Sequence, residues 1–204
     1  MKQISSQEIR HCVEQGFQEA KDQTSSILRH HLSSGASRLS SKFVYEVTKS
    51  IYLECLPEYE LHVISVDDRG DKRSGEWLLD GCITEESDGF IERIVFAMES
   101  ESARSKAAFD EDFAKLIHVK SYFKLYLNGL RHKEEADMTR YMEHRLAYAA
   151  SVLRKTSHAG KLWLGFWPSP GKFRGRVSAW EALPAHLDAI YLWEFDGDQF
   201  TEVP

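Results

Sequence analysis

Val95-Phe96-Ala97-Met98 runs straight into Glu99-Ser100-Glu101. Four apolar residues followed by two glutamates around one serine read as a buried strand that ends in carboxylates. Alternation along a strand puts Glu99 and Glu101 on one face and Ser100 on the other. Upstream, Trp77-Leu78-Leu79-Asp80 sets a third acid in an apolar stretch. Ser87-Asp88-Gly89 lies between the two segments and is turn chemistry, so a hairpin is predicted that brings Asp80 beside Glu99. Downstream, Asp112-Phe113-Ala114-Lys115-Leu116-Ile117 falls in a helical segment. Carboxylates at the ends of apolar strands cost desolvation energy unless something positive sits among them. Mg²⁺, or Mn²⁺ in its place, is the expected partner for such oxygen ligands, with Asp80, Glu99 and Glu101 as the candidate metal set.

The elements around this segment follow in a definite order. Ser5-Ser6-Gln7-Glu8 has the form of a capping box, with Ile9, Val13 and Phe17 at helical spacing behind it. A break is predicted over 33–37. A second helix follows, with Leu39, Phe43, Val47, Ile51 and Cys55 on one face and Pro57 as its stop. Strands are predicted over 61–66, 77–84 and 91–101, then a linker over 102–108 and a helix over 110–122. A strand over 123–127 is closed by Asn128-Gly129. Beyond it come a long helix over 134–155, an apolar strand over 162–167 and a hairpin over 189–203 turning at Gly197. Inward positions on the long helix are Met138, Met142 (or Tyr141), Leu146, Ala149 and Leu153.

Composition narrows the class. With 204 residues and no linker-like stretch, one domain over 1–204 is expected. A 28% charged and 42% apolar chain is an ordinary globular one. The net charge of −6 argues against a broadly basic nucleic-acid binder but leaves a local basic groove open. Cys12, Cys55 and Cys82 are isolated and form no CxxC, which argues against a disulfide framework or a thiolate zinc site. A reducing, cytoplasmic setting is expected. No apolar run approaches the ~20 residues of a membrane span, and residues 1–7 carry no signal-peptide core.

Helix, three strands, helix, strand, with Asp80 on the second strand and Glu99-Ser100-Glu101 ending the third, resembles the PD-(D/E)XK nuclease superfamily. The resembling stretch covers 38–129, with 130–204 as a C-terminal extension of the same domain. The resemblance implies an α/β fold with a restriction-endonuclease-like αβββαβ core. A mixed central sheet is flanked by helices, with an N-terminal helix and a C-terminal strand and hairpin added. It implies a metal-dependent nuclease that hydrolyses phosphodiester bonds of DNA or RNA. Asp80 and Glu99 would hold Mg²⁺ or Mn²⁺. Glu101 stands where the family usually carries a lysine. Lys115 on the following helix matches a position from which some members recruit that lysine, and Lys120 is the second choice. The alternative is a catalytically inactive fold kept for binding or regulation. Nucleic acid is the implied partner, and a homodimer or a protein partner is left open.

Other residues are weaker candidates. Glu46 on the second helix is either a further metal ligand or part of a solvated helix face. Lys172, Arg174 and Arg176, in a Gly-bounded loop with Phe173, are phosphate-contact candidates, as is Lys120; a plain hairpin loop is the other reading of 171–176. The histidines show no metal-ligand pairing, and Trp163, Trp167, Trp180 and Trp193 are read as core or interface.

Overall fold

A computed structural model describes residues 3–30, 35–64, 67, 79–102, 105–131, 134–170, 172–173, 176–177 and 188–204. Helix α1 (Ser6–Asp22) begins as its sequence dictates. The Ser5 hydroxyl accepts the Glu8 N–H, and the Glu8 carboxylate accepts the Ser5 N–H at 2.8 Å. A short helix α2 (Thr24–His30) follows, which the periodicity did not reveal because Ile27 is its one buried apolar residue. Helix α3 (Gly35–Cys55) starts inside the expected break, of which 33–34 lie outside the described residues. Leu39, Phe43, Val47, Ile51 and Cys55 are all fully buried along it.

The strands are β1 (Glu60–Val63), β2 (Gly81–Ser87) and β3 (Phe90–Glu101), then helix α4 (Lys106–His118) and β4 (Ser121–Leu130). Helix α5 (Glu135–Leu153) leads to β5 (Lys161–Pro168), a small ladder of β6 (Lys172–Phe173) and β7 (Arg176–Val177), and a final hairpin of β8 (Tyr191–Phe195) and β9 (Phe200–Glu202). Seven of these form one mixed sheet in the order β1-β2-β3-β4-β5-β8-β9. β1, β2 and β3 pair antiparallel; β3, β4 and β5 pair parallel; β8 and β9 close the other side antiparallel. The parallel steps need crossovers, which α4 and α5 supply. Residues 38–129 and 130–204 thus share one sheet, joined where β4 pairs with β5.

Each face of the sheet has its own core. α1, α2 and α3 pack on the face that carries Phe96, Met98, Leu125, Leu127, Trp163 and Trp167. α4 and α5 cover the face that carries Cys82, Ala97, Tyr126, Leu162, Leu164 and Phe166. β5 is buried on both sides, as expected of an inner parallel strand. The first helix also reaches the last hairpin. Trp163 Nε1 donates to Ser6 Oγ at 3.0 Å, Ser6 Oγ donates to Glu194, and Arg10 donates to the Val203 carbonyl. No described helix is long and apolar enough to cross a membrane.

Three boundaries differ from those expected. α4 ends at His118 rather than 122, because Val119 turns extended while its N–H still closes on Lys115. β4 therefore starts at Ser121 and absorbs Asn128-Gly129, which is strand and not turn. Gly129 serves close approach instead: a Cβ there would lie 2.6 Å from the Ser169 side chain. The second strand begins at Gly81 and runs to Ser87, later than the predicted 77–84, of which 77–78 lie outside the described residues.

Candidate functional site

Asp80 sits in a bend immediately before β2, not within the strand. Gly81 pairs with Met98, so Asp80 arrives level with the acid end of β3. The start of β2 is pressed onto α3, where a Cβ on residue 81 would fall 2.5 Å from Thr48 Oγ1. Asp80 Oδ2 accepts the Ser100 N–H at 2.8 Å. That bond fixes the carboxylate, whose charge acts on Glu99.

Glu99 is 2% exposed and faces the α4 side of the sheet. Its Oε1 is buried and accepts no hydrogen bond. Burial, then the Asp80 charge beside it, push the Glu99 carboxyl up to about 8. Burial also raises the Asp80 carboxyl, against the pull of the Ser100 N–H. The nearby cation is Lys115 on α4. Its Nζ lies 3.8 Å from Glu99 Oε1, an ion pair beyond hydrogen-bond reach, and 2.6 Å from Asp112 Oδ1. The hydrogen bond to Asp112 comes first among the causes that hold the Lys115 ammonium above its ordinary range.

The sequence-predicted residues thus divide. Asp80, Glu99 and Lys115 come together, and Asp112 joins them. Asp112 pairs with Lys115 three residues on, along the same helix. Glu101 continues the same face. Its main-chain carbonyl accepts from Asn128 Nδ2 at 3.1 Å, and its charge is felt at Asp80 and at Tyr126. Tyr126 is the β4 partner of Glu99, and its hydroxyl is buried without a hydrogen-bond partner. Lys120 is exposed in the link before β4. It lies six residues before Tyr126, roughly 20 Å along the strand, toward the opposite end of the sheet from the acid pair. Lys172 and Arg176 belong to the β6–β7 ladder, and Arg174 lies outside the described residues.

Glu46 is neither solvated nor with the acids. It is buried and paired with Lys42 at 2.9 Å and Lys49 at 3.3 Å. Among the described residues, no three His, Cys, Asp or Glu side chains gather as a metal-ligand set. The Asp80–Glu99 pair nevertheless suits one hard divalent ion. Mg²⁺ commonly takes one or two carboxylates and completes its shell with water and substrate phosphate. The buried Glu99 oxygen without a partner is the feature that such an ion would satisfy.

A cleft of about 550 Å³ opens beside Asp80. Its walls are the N-terminal half of α3 (Ser37, Ser40, Ser41, Val44), the residue Ile64 after β1, and the C-terminal ends of β3, β4 and β5. Arg131 stands at its rim, exposed, with Nε donating to Ser169 Oγ at 2.9 Å. No family model matches the chain, and neither a curated protein nor a solved structure matches it.

Proposed function

We propose that the protein is a metal-dependent nuclease that hydrolyses phosphodiester bonds, on a restriction-endonuclease-like αβββαβ core. The carrying observation is Glu99: a buried carboxylate with an unpartnered oxygen, a second carboxylate beside it and a lysine 3.8 Å away. The element order supports the reading. α3, the antiparallel β1-β2-β3, the crossover α4 and the parallel β4 follow one another, with the acids at the end of β3.

In this reading Asp80 and Glu99 hold Mg²⁺ or Mn²⁺. When bound, the ion supplies Lewis acidity at a phosphate oxygen and makes water a better nucleophile at neutral pH. Ser100 N–H keeps Asp80 oriented. Lys115 stands over Glu99 and supplies positive charge where the phosphate becomes more anionic. Asp112 holds the Lys115 ammonium in place and charged. Glu101 lies at the strand end as a further carboxylate for the attacking water.

A second reading is a binding or regulatory protein on the same core without catalysis. It is favoured by Glu101 at the usual lysine position and by the Lys115–Asp112 pair, which competes with Glu99 for the ammonium. Incubation with single- and double-stranded DNA and RNA, with Mg²⁺ or Mn²⁺, separates the two. Cutting that is lost in Glu99→Ala and strongly reduced in Lys115→Ala supports the nuclease. A metal-induced melting shift with no cleavage of any substrate supports the second reading.

A further inference from the structure

The acid end of β3 is held from both sides, and on one side the holder is a chain of polar side chains. Toward β2, Asp80 accepts the Ser100 N–H at 2.8 Å. Toward β4, Asn128 stands opposite Glu101 in the parallel ladder, and its Nδ2 donates to the Glu101 carbonyl at 3.1 Å. Asn128 is fully buried, and its Oδ1 accepts the Tyr141 hydroxyl from α5 at 2.9 Å. The Tyr141 oxygen in turn accepts Arg145 Nε at 3.2 Å. Arg145 is buried, with its guanidinium carbon 4.7 Å from the Phe109 ring centre and 5.2 Å from that of Tyr141. A second guanidinium nitrogen donates to the carbonyl of Ser105, the N-cap of α4, at 3.3 Å.

Burying a cation and an amide here costs desolvation that apolar residues of the same size would not. What the chain supplies is direction, because each of its bonds has a set donor and acceptor. It runs from α5 through β4 to the backbone two residues beyond Glu99. It also takes hold of the start of α4, the helix that carries Asp112 and Lys115. Glu99 Oε1 accepts no hydrogen bond, so its place depends on the backbone that carries it. Arg145 is close enough for its charge to act at Tyr126, the β4 neighbour of Glu99.

We propose that Asn128, Tyr141 and Arg145 are positioning residues for the acid pair, and that through them α5 sets how tightly Asp80 and Glu99 take a divalent ion. The inference rests on the metal-dependent reading above and adds three residues that act through the Glu101 backbone rather than as ligands. Carboxylates bind an ion well when their oxygens are held in place before it arrives, and the partners behind the ligands do that holding.

The test pairs a metal-free readout with a metal one. Tyr141→Phe keeps the ring, which lies edge-on to Phe166, and removes the oxygen that joins Arg145 to Asn128. Asn128→Ala removes the donor to the Glu101 carbonyl. In EDTA, amide hydrogen exchange over 99–101 should quicken about tenfold in both variants, while α3 keeps its native protection. Calorimetric titration with Mn²⁺ should give a dissociation constant about tenfold higher. Tyr148→Phe removes another α5 hydroxyl, one bonded to Lys106 at 2.7 Å, and should match the native chain in both readouts. Native exchange over 99–101 in Tyr141→Phe and Asn128→Ala overturns the proposal. So does native Mn²⁺ affinity in both variants, and so does exchange that quickens equally in α3, the mark of general destabilisation. These outcomes leave the nuclease reading standing. No Mn²⁺ uptake by the native chain overturns that reading and the ion half of the proposal with it. The exchange result then still decides whether the three residues position the acids.

Discussion

Asp80 Oδ2 accepts the backbone N–H of Ser100 at 2.8 Å, and so one hydrogen bond ties the bend before β2 to the residue after Glu99. Charge and anchoring are therefore separable at this position. An asparagine keeps an oxygen for the Ser100 N–H but removes the charge that repels Glu99. Asp80→Asn is expected to melt at or above the native temperature without metal. It should also lose the stabilisation by Mg²⁺ or Mn²⁺, which for the native chain at a hundredfold excess over Kd is about 2.7 kcal/mol. Thermal melts with EDTA and with metal check both halves.

Glu99 gives the metal-free protein a distinct pH response. Its carboxyl is raised from 4.5 to about 8 by burial first and by Asp80 second. The folded state therefore holds a proton that the unfolded chain has released. Its contribution is fully present below 4.5 and is lost as pH rises toward about 8. In EDTA, stability should fall across that window by a few kcal/mol, and Glu99→Gln should flatten the fall. Denaturant titrations of both proteins at several pH values measure it. A native chain with no slope there contradicts the burial of a proton at Glu99.

Lys124 shows the opposite sign on the same face of the sheet. It is fully buried on β4, and its Nζ donates to the Ile117 carbonyl at 2.9 Å. Burial pulls its ammonium from 10.5 down to about 8. The unfolded chain then holds more protons between these values, so stability rises with pH across that window. Lys124→Met removes a buried charge and should stabilise the protein at neutral pH by about 1–3 kcal/mol, part being offset by the Ile117 carbonyl it leaves behind. Denaturation midpoints of the two proteins should differ near neutral pH and converge at high pH.

Glu46 predicts a stability effect without a site effect. Lys42 is 3% exposed and takes its charge balance from Glu46 at 2.9 Å. Glu46→Ala removes the carboxylate paired with the buried Lys42 ammonium and should cost about 3 kcal/mol. The metal-induced melting shift should survive, because Glu46 stands apart from Asp80 and Glu99. A lost shift in a folded Glu46→Ala protein would place this acid in the metal site after all.

The strongest patterns were legible from the sequence. The Ser5–Glu8 box and the Leu39–Cys55 stripe are local signals, and both elements form where they point. The pairing of β2 with β3 followed from a turn residue pair and two apolar runs, and it brought Asp80 to Glu99. What stayed hidden depends on contacts between elements. Asn128-Gly129 reads as a turn, yet it is strand interior because β3 and β5 flank it and Ser169 presses on the glycine. The burial of Lys124 comes from α4 covering its face of the sheet, and nothing in the local sequence around it announces that contact. Lys42 and Glu46 have the spacing of an exposed helical pair, and only the packing of α3 buries them. Asp112 became part of the acid cluster because α4 crosses back over the end of β3, a matter of topology that no local spacing encodes.

The clasp between α1 and the last hairpin bears on how the chain acquires its structure in time. Ser6 bonds Trp163 and Glu194, and Arg10 bonds the Val203 carbonyl, so the first helix is completed by the last strands. Between them lie two parallel pairings, each closed only after a helical crossover. Such separations make loop closure costly before any contact repays it, and slow folding for the chain's size is the expected result. During synthesis α1 leaves the ribosome long before β8 and β9 exist. Its apolar stripe of Ile9, Val13 and Phe17 must wait, exposed or loosely laid on α3, until the carboxyl-terminal hairpin arrives to lock it.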